Sequence, residues 1–108
     1  LLVLGEIVTV KLGGADSGGA MAVCHVAAAP LGGPPLHRHS REDEWFYLLD
    51  GVLALQVDGR RFELRPGDSA YAPRGSVHAY QNFGTTTAHM LVVVTPAGFE
   101  KFFEKVSD

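Results

Sequence analysis

Apolar residues gather in short, strand-length runs through most of the chain, separated by glycine, proline and aspartate. Such runs bounded by turn residues are the pattern of β-strands. Residues 7–10 form the first run, and the turn-rich Gly13-Gly14-Ala15-Asp16-Ser17-Gly18-Gly19 follows it. Residues 21–28 resume as a strand in which Met21, Val23, His25 and Ala27 share one face, and the loop Gly32-Gly33-Pro34-Pro35 ends it. Residues 45–49, 52–57 and 61–64 read as three strands separated by Asp50-Gly51 and Asp58-Gly59, both hairpin-type dipeptides, so the spacing predicts an antiparallel meander. Arg65-Pro66-Gly67-Asp68 and Pro73-Arg74-Gly75 are turns on either side of a short strand over 69–72, and strands over 77–83 and 88–95 follow. Helical spacing is confined to residues 97–105, where Phe99, Phe102 and Phe103 make one apolar stripe; this predicts a short C-terminal helix capping the sheet.

Many short antiparallel strands without room for crossover helices imply an all-β barrel or sandwich. With 108 residues and no linker, repeat or low-complexity segment, a single domain over 1–108 is expected. The net charge of −3 and the lack of any basic patch argue against a nucleic-acid partner or an anionic membrane surface. A small molecule or a second copy of the chain is the expected partner. Cys24 is the single cysteine, so no internal disulfide can form and a reducing cytoplasm is the expected location. The apolar opening is interrupted by Glu6 and Lys11, far short of the roughly 20 apolar residues of a membrane helix, and it lacks a signal-peptide cleavage pattern.

Candidate chemistry gathers at His37, His39, Glu44 and His78. Imidazole nitrogen with carboxylate oxygen suits a first-row divalent ion better than calcium, which takes oxygen, or an iron–sulfur cluster, which takes thiolate. His37 and His39 lie two apart on an extended segment, so both leave the same face. Glu44 shares its face with Phe46 and Leu48, which are expected to look inward, and His78 follows the Pro73-Arg74-Gly75 turn beside Tyr80 and Asn82. Trp45, Tyr47 and Leu49 then form a large apolar outer face, for which a homodimer is the expected cover. The neighbouring Glu42 and Asp43 read as a solvated loop, and Cys24 as a small buried hydrophobe. His25 and His89, single histidines in apolar strands, are expected to pack and to hydrogen-bond to backbone.

These residues fall into two ordered motifs. Gly32, His37, His39, Glu44 and Gly51 match the first motif of the cupins, and Gly67, Pro73, Gly75, His78 and Asn82 match the second, so the chain resembles a cupin over about residues 30 to 95. One departure is the lead glycine, one position closer to the first histidine than usual. The resemblance implies a double-stranded β-helix, that is, an antiparallel jelly-roll barrel. It also implies one divalent transition ion per chain (Fe, Mn, Ni, Co or Zn) held by His37, His39, Glu44 and His78. The run Arg41-Glu42-Asp43-Glu44-Trp45-Phe46-Tyr47 and the tail Thr95-Pro96-Ala97-Gly98-Phe99-Glu100 are similar to small single-domain cupins related to quercetin dioxygenase.

By that resemblance Glu44 is both ligand and general base, and the function is a metal-dependent dioxygenase acting on an aromatic or enolisable small molecule. A metal-dependent isomerase or cyclase, and a non-catalytic binding module, remain open, because the fold alone does not choose between them. Phe46, Leu48, Leu55, Tyr80 and Met90 are the expected lining of the apolar cavity.

Overall fold

The computed structural model describes residues 2–3, 5–33, 37–38 and 42–97, and side chains over 5–33 and 42–97. The described strands are β1 (Leu2–Val3), β2 (Glu6–Leu12), β3 (Ala22–Ala28), β4 (His37–Arg38) and β5 (Asp43–Asp50), then β6 (Leu53–Val57), β7 (Arg60–Leu64), β8 (Ser69–Ala72), β9 (Val77–Gln81) and β10 (Ala88–Thr95). They build two antiparallel sheets. The first runs in the order β1-β2-β3-β10-β5-β8 and the second in the order β4-β9-β6-β7. A 3-10 turn at Gly14–Ser17 joins β2 to β3.

Strict alternation sets the core. Strands β3 and β10 each bury every second residue, so that Cys24, Val26, Met90, Val92 and Val94 point inward while Val23, His25, His89, Leu91 and Val93 stay half-exposed. Strand β5 does the same with Glu44, Phe46 and Leu48 inside. Leu53, Leu55, Val57 and Leu64 of the second sheet close over them, making one cluster between the sheets. Burying a side chain of this kind contributes roughly 1.5–3 kcal/mol. The all-β antiparallel architecture expected from the sequence is therefore what the chain adopts.

One expectation about connectivity fails. Asp58-Gly59 is a true two-residue hairpin, with Val57 paired to Arg60 and both turn residues at positive φ, 47° and 82°. Asp50-Gly51 is not a hairpin, because β5 pairs with β10 and β8 in the first sheet while β6 pairs with β7 and β9 in the second. The turn hands the chain from one sheet to the other, so these strands do not form a continuous meander. An aspartate–glycine pair fixes a sharp turn and leaves open which strand the chain meets beyond it. The helix expected over 97–105 lies, apart from Ala97, outside the described residues.

Candidate metal centre

Strands β5 and β9 belong to different sheets, and their inward faces bring Glu44 and His78 together. Glu44 is 4% exposed and His78 is 1% exposed, yet the carboxylate Oε2 lies 3.5 Å from the imidazole Nε2. His78 Nδ1 lies 3.4 Å from the carbonyl oxygen of Ser76. A carbonyl can only accept, so Nδ1 carries a proton and Nε2 is the ring nitrogen that faces Glu44. Two ligand atoms held about 2.0–2.2 Å from one ion stand roughly 3–3.5 Å apart, so the pair fits a shared divalent ion.

The framework that holds these two groups is legible at the level of hydrogen bonds. Arg74, in the turn ahead of β9, donates its backbone N–H to Asp43 Oδ1 at 2.7 Å and its guanidinium to Oδ2 at 2.9 Å. Those bonds draw the Asp43 carboxyl down to about 2, first through the side-chain and then through the backbone donor. Asp43, expected to be part of a solvated loop, thus ties the residue before Glu44 to the turn before His78. Ser76 closes the same turn by donating its hydroxyl to the Pro73 carbonyl at 2.6 Å.

Of the four expected ligands, Glu44 and His78 are brought together. The β4–β9 register sets position 37 directly opposite His78. His39 and the side chain of His37 lie outside the described residues. Among the described residues no group of three or more His, Cys, Asp or Glu side chains forms a metal cluster.

Motif glycine Gly32 and motif asparagine Asn82 meet at the other end of the barrel. The Asn82 N–H donates to the Gly32 carbonyl at 3.0 Å, and Leu31 N–H donates to the Asn82 carbonyl at 2.8 Å. The fully buried Asn82 amide donates to the carbonyls of Ala28 and Thr86, and its Oδ1 accepts from Gly84 N–H. Asn82 therefore fastens the loop after β3 to the loop before β10.

A second carboxyl enters the barrel at a position that the sequence motifs do not include. Glu6, at the start of β2, is 3% exposed and accepts a 2.5 Å hydrogen bond from the Tyr80 hydroxyl on β9. Burial, opposed by the Tyr80 bond and reinforced by the nearby charge of Glu44, pushes the Glu6 carboxyl up to about 7. The same burial, with Glu6 beside it, raises the Tyr80 phenol well above its ordinary range. The signal in the sequence is phase: Glu6 and Val8 alternate with Ile7 and Thr9, and both are buried. Phe46 packs edge-on against both His78 and Tyr80, at ring separations of 6.2 and 5.9 Å, so aromatic surface adjoins the carboxylates.

The expected lining residues Phe46, Leu48, Leu55 and Met90 are buried, with Tyr80 packed against them. A cavity lined by Gly33, Gln56, Arg61, Ala79 and Gln81 among others shares Leu55 and Tyr80 with that expected lining and includes neither Glu44 nor His78. Among the described residues no helix is long and apolar enough to cross a membrane.

Two facing antiparallel sheets, with an inward carboxylate and an inward histidine on opposing strands, define an all-β jelly-roll class of barrel. A cupin-domain family model matches residues 24–94, and the chain belongs to the cupin family. Over 72 residues it is 35% identical to quercetin 2,3-dioxygenase of Bacillus subtilis, covering 67% of this chain and 21% of that protein. The matches to two other curated relatives cover 57% and 48% of their lengths, so the chain spans between about a fifth and somewhat over half of the three. The solved structure of a recombinant oxalate oxidase in complex with glycolate is 28% identical, with a TM-score of 0.75, over 88% of this chain and 53% of that one. KdgF from Halomonas sp. superposes with a TM-score of 0.83 over 94% of this chain and 87% of that one; at 17% identity it shows the fold alone.

Proposed function

We propose that the barrel holds one divalent transition ion on His37, His39, Glu44 and His78, and that the protein is a dioxygenase acting on an aromatic or enolisable small molecule. The observation that carries this reading is the buried approach of Glu44 Oε2 to His78 Nε2, in a geometry suited to a common ion. The 35% identity to a quercetin 2,3-dioxygenase supports the oxygenase class, and the interior rings of Phe46 and Tyr80 suit a flat substrate. When bound, the ion would supply Lewis acidity to an enol or phenol and a redox-active centre.

The chain's own residues supply the rest. Glu44 Oε1 or Oε2 accepts the proton of the substrate hydroxyl, as a general base within hydrogen-bond reach. Ser76, through Nδ1, keeps the His78 ring in one tautomer and one orientation. Phe46, Leu48, Leu55 and Met90 exclude water from the face on which the substrate lies.

The test begins with elemental analysis of protein purified without chelator or metal-affinity resin. Metal-loaded protein is then offered flavonol-like and β-dicarbonyl compounds with and without oxygen. Oxygen uptake matched to product supports the dioxygenase, and no uptake with iron, manganese, nickel or cobalt across a broad panel overturns it. Product formed under anaerobic conditions would assign an isomerase or cyclase instead. A ligand that raises the melting temperature and is recovered unchanged would assign a binding module.

A further inference from the structure

Two histidines lie away from the barrel interior, on the outer face of the first sheet. His25 on β3 and His89 on β10 occupy adjacent, mutually paired strands near the middle of that sheet, and both are half-exposed. Neither behaves as an isolated packing residue bonded to backbone. His89 Nδ1 stands 3.2 Å from His25 Nε2, and the rings stack at 5.2 Å with 26° between their planes. The intervening strand residues Cys24, Val26 and Met90 are buried in the core, so this pair and the Glu44–His78 pair sit on opposite faces of the sheet.

We propose that His25 and His89 form a second metal site, open to solvent, for an imidazole-seeking divalent ion such as Cu2+, Ni2+ or Zn2+. Two imidazole nitrogens bound to one such ion at about 2.0–2.1 Å stand roughly 2.9–3.4 Å apart, which brackets the observed separation. Both rings start from well-ordered central strands, so little freedom is lost when an ion is bound.

The protonation state agrees. Burial, and then the neighbouring His89 and Lys11, hold His25 below its ordinary pKa, so a proton competes weakly for its lone pair near neutral pH. In the metal-free pair one ring donates an N–H to the other. Binding needs that ring to move its proton to the nitrogen pointing away, a tautomeric change in which no proton leaves the protein. Lys11 opposes the added charge, whereas Asp50, the register partner of His89 on β5, places a carboxylate on the adjoining strand. With two protein ligands the site is weak and exchanges readily. Affinity for such nitrogen sites is greatest for Cu2+, which makes that ion the suitable probe.

Metal-free protein is titrated with Cu2+ at about pH 7.5 and followed by equilibrium dialysis and by EPR. The expected result is that His25→Gln and His89→Gln each lose one bound equivalent together with its nitrogen-ligated signal, while the unbound variants keep the parent melting temperature. His25→Ala and His89→Ala are expected to lose the same equivalent. His78→Ala is expected to retain it. A parental stoichiometry and spectrum in both glutamine variants would overturn the site and leave a simple imidazole–imidazole hydrogen bond. The barrel reading fails separately: His78→Ala would then match the parent, while the loss in the His25 and His89 variants would persist.

Discussion

Glu6 shows how a single buried carboxyl shapes the response of the whole molecule to pH. Its ordinary value is 4.5 and its folded value is about 7. Below the lower value both folded and unfolded chains hold the proton, and burial adds no penalty. Between the two values the folded state binds the proton more tightly, so stability falls as pH rises, and above about 7 the penalty is complete. A tenfold difference in proton affinity between the folded and unfolded chains is worth about 1.4 kcal/mol, which puts that penalty on the order of 3 kcal/mol. Glu6→Gln keeps an oxygen to accept the Tyr80 hydroxyl and removes the charge. It is expected to raise the urea midpoint modestly at about pH 5 and by clearly more at about pH 8. An equal gain at both pH values would show that the carboxyl does not titrate in this window. The ligand set makes a separate prediction at the same scale. His78→Ala is expected to strip most of the metal that copurifies, whereas His25→Ala leaves it near one ion per chain, because a weak two-imidazole site empties during purification. Glu44→Gln with metal retained and turnover lost would support its role as base, and loss of both would leave only the role of ligand. Equal metal loss in the His25 and His78 variants would refute the barrel assignment.

Among the elements, the two Asp-Gly turns separate what a turn dipeptide dictates from what the fold adds. Gly51 and Gly59 sit at nearly the same φ, 85° and 82°, where a side chain is strained. A Cβ at Gly59 meets nothing within 4 Å, whereas one at Gly51 would lie 2.8 Å from the Ala88 Cα. Gly59→Ala is therefore expected to cost about 1 kcal/mol from the backbone alone. Gly51→Ala carries the same strain plus overpacking of about 1–3 kcal/mol. Urea unfolding of both variants checks this, and equal losses would mean that the crossing at Ala88 relaxes without cost. The contrast also marks the limit of sequence reading. The apolar runs 21–28, 45–49 and 88–95 are enough to place strands, but they are apolar on both faces, so the inward face is legible only in β5, where Glu44 sets the phase of Phe46 and Leu48. Partner strands are not legible, since Asp50-Gly51 and Asp58-Gly59 look alike and only one of them closes a hairpin. The motif spacing singles out Glu44 and His78, whose approach depends on two sheets facing each other. Glu6 escapes the motifs because a charged residue at the head of an apolar run reads as an interruption until its partner, Tyr80, is known. The His25–His89 contact arises from cross-strand register, which no spacing along the chain encodes.

At the scale of the whole molecule, the outer face of the first sheet is the feature that water tolerates least. Register aligns Val23, Val93, Trp45 and Tyr71 as one row across β3, β10, β5 and β8, and His25, Leu91 and Tyr47 as the row beside it. Trp45 is 38% exposed and Tyr71 55%, and the Trp45 and Tyr47 rings stack at 5.6 Å, giving a flat aromatic centre. Patches of a few hundred Å2 on this pattern mark contact sites. We propose that a second copy of the chain, related by two-fold symmetry, covers this face, since an isologous contact would bury the same aromatic centre twice. Two short rows on one sheet face make a small contact, so association is expected in the micromolar range rather than as an obligate pair. Such a contact would centre on Trp45 and Tyr71, with His25 in the second row and His89 outside both rows. Sedimentation at tens of micromolar is expected to show the dimer, an affinity of about −7 to −8 kcal/mol. Trp45→Glu places a charge at the centre of the row and is expected to yield monomer with an unchanged far-ultraviolet spectrum, because that side chain leaves the core untouched. A parent protein that sediments only as monomer at these concentrations would remove the dimer and leave the aromatic row to some other partner.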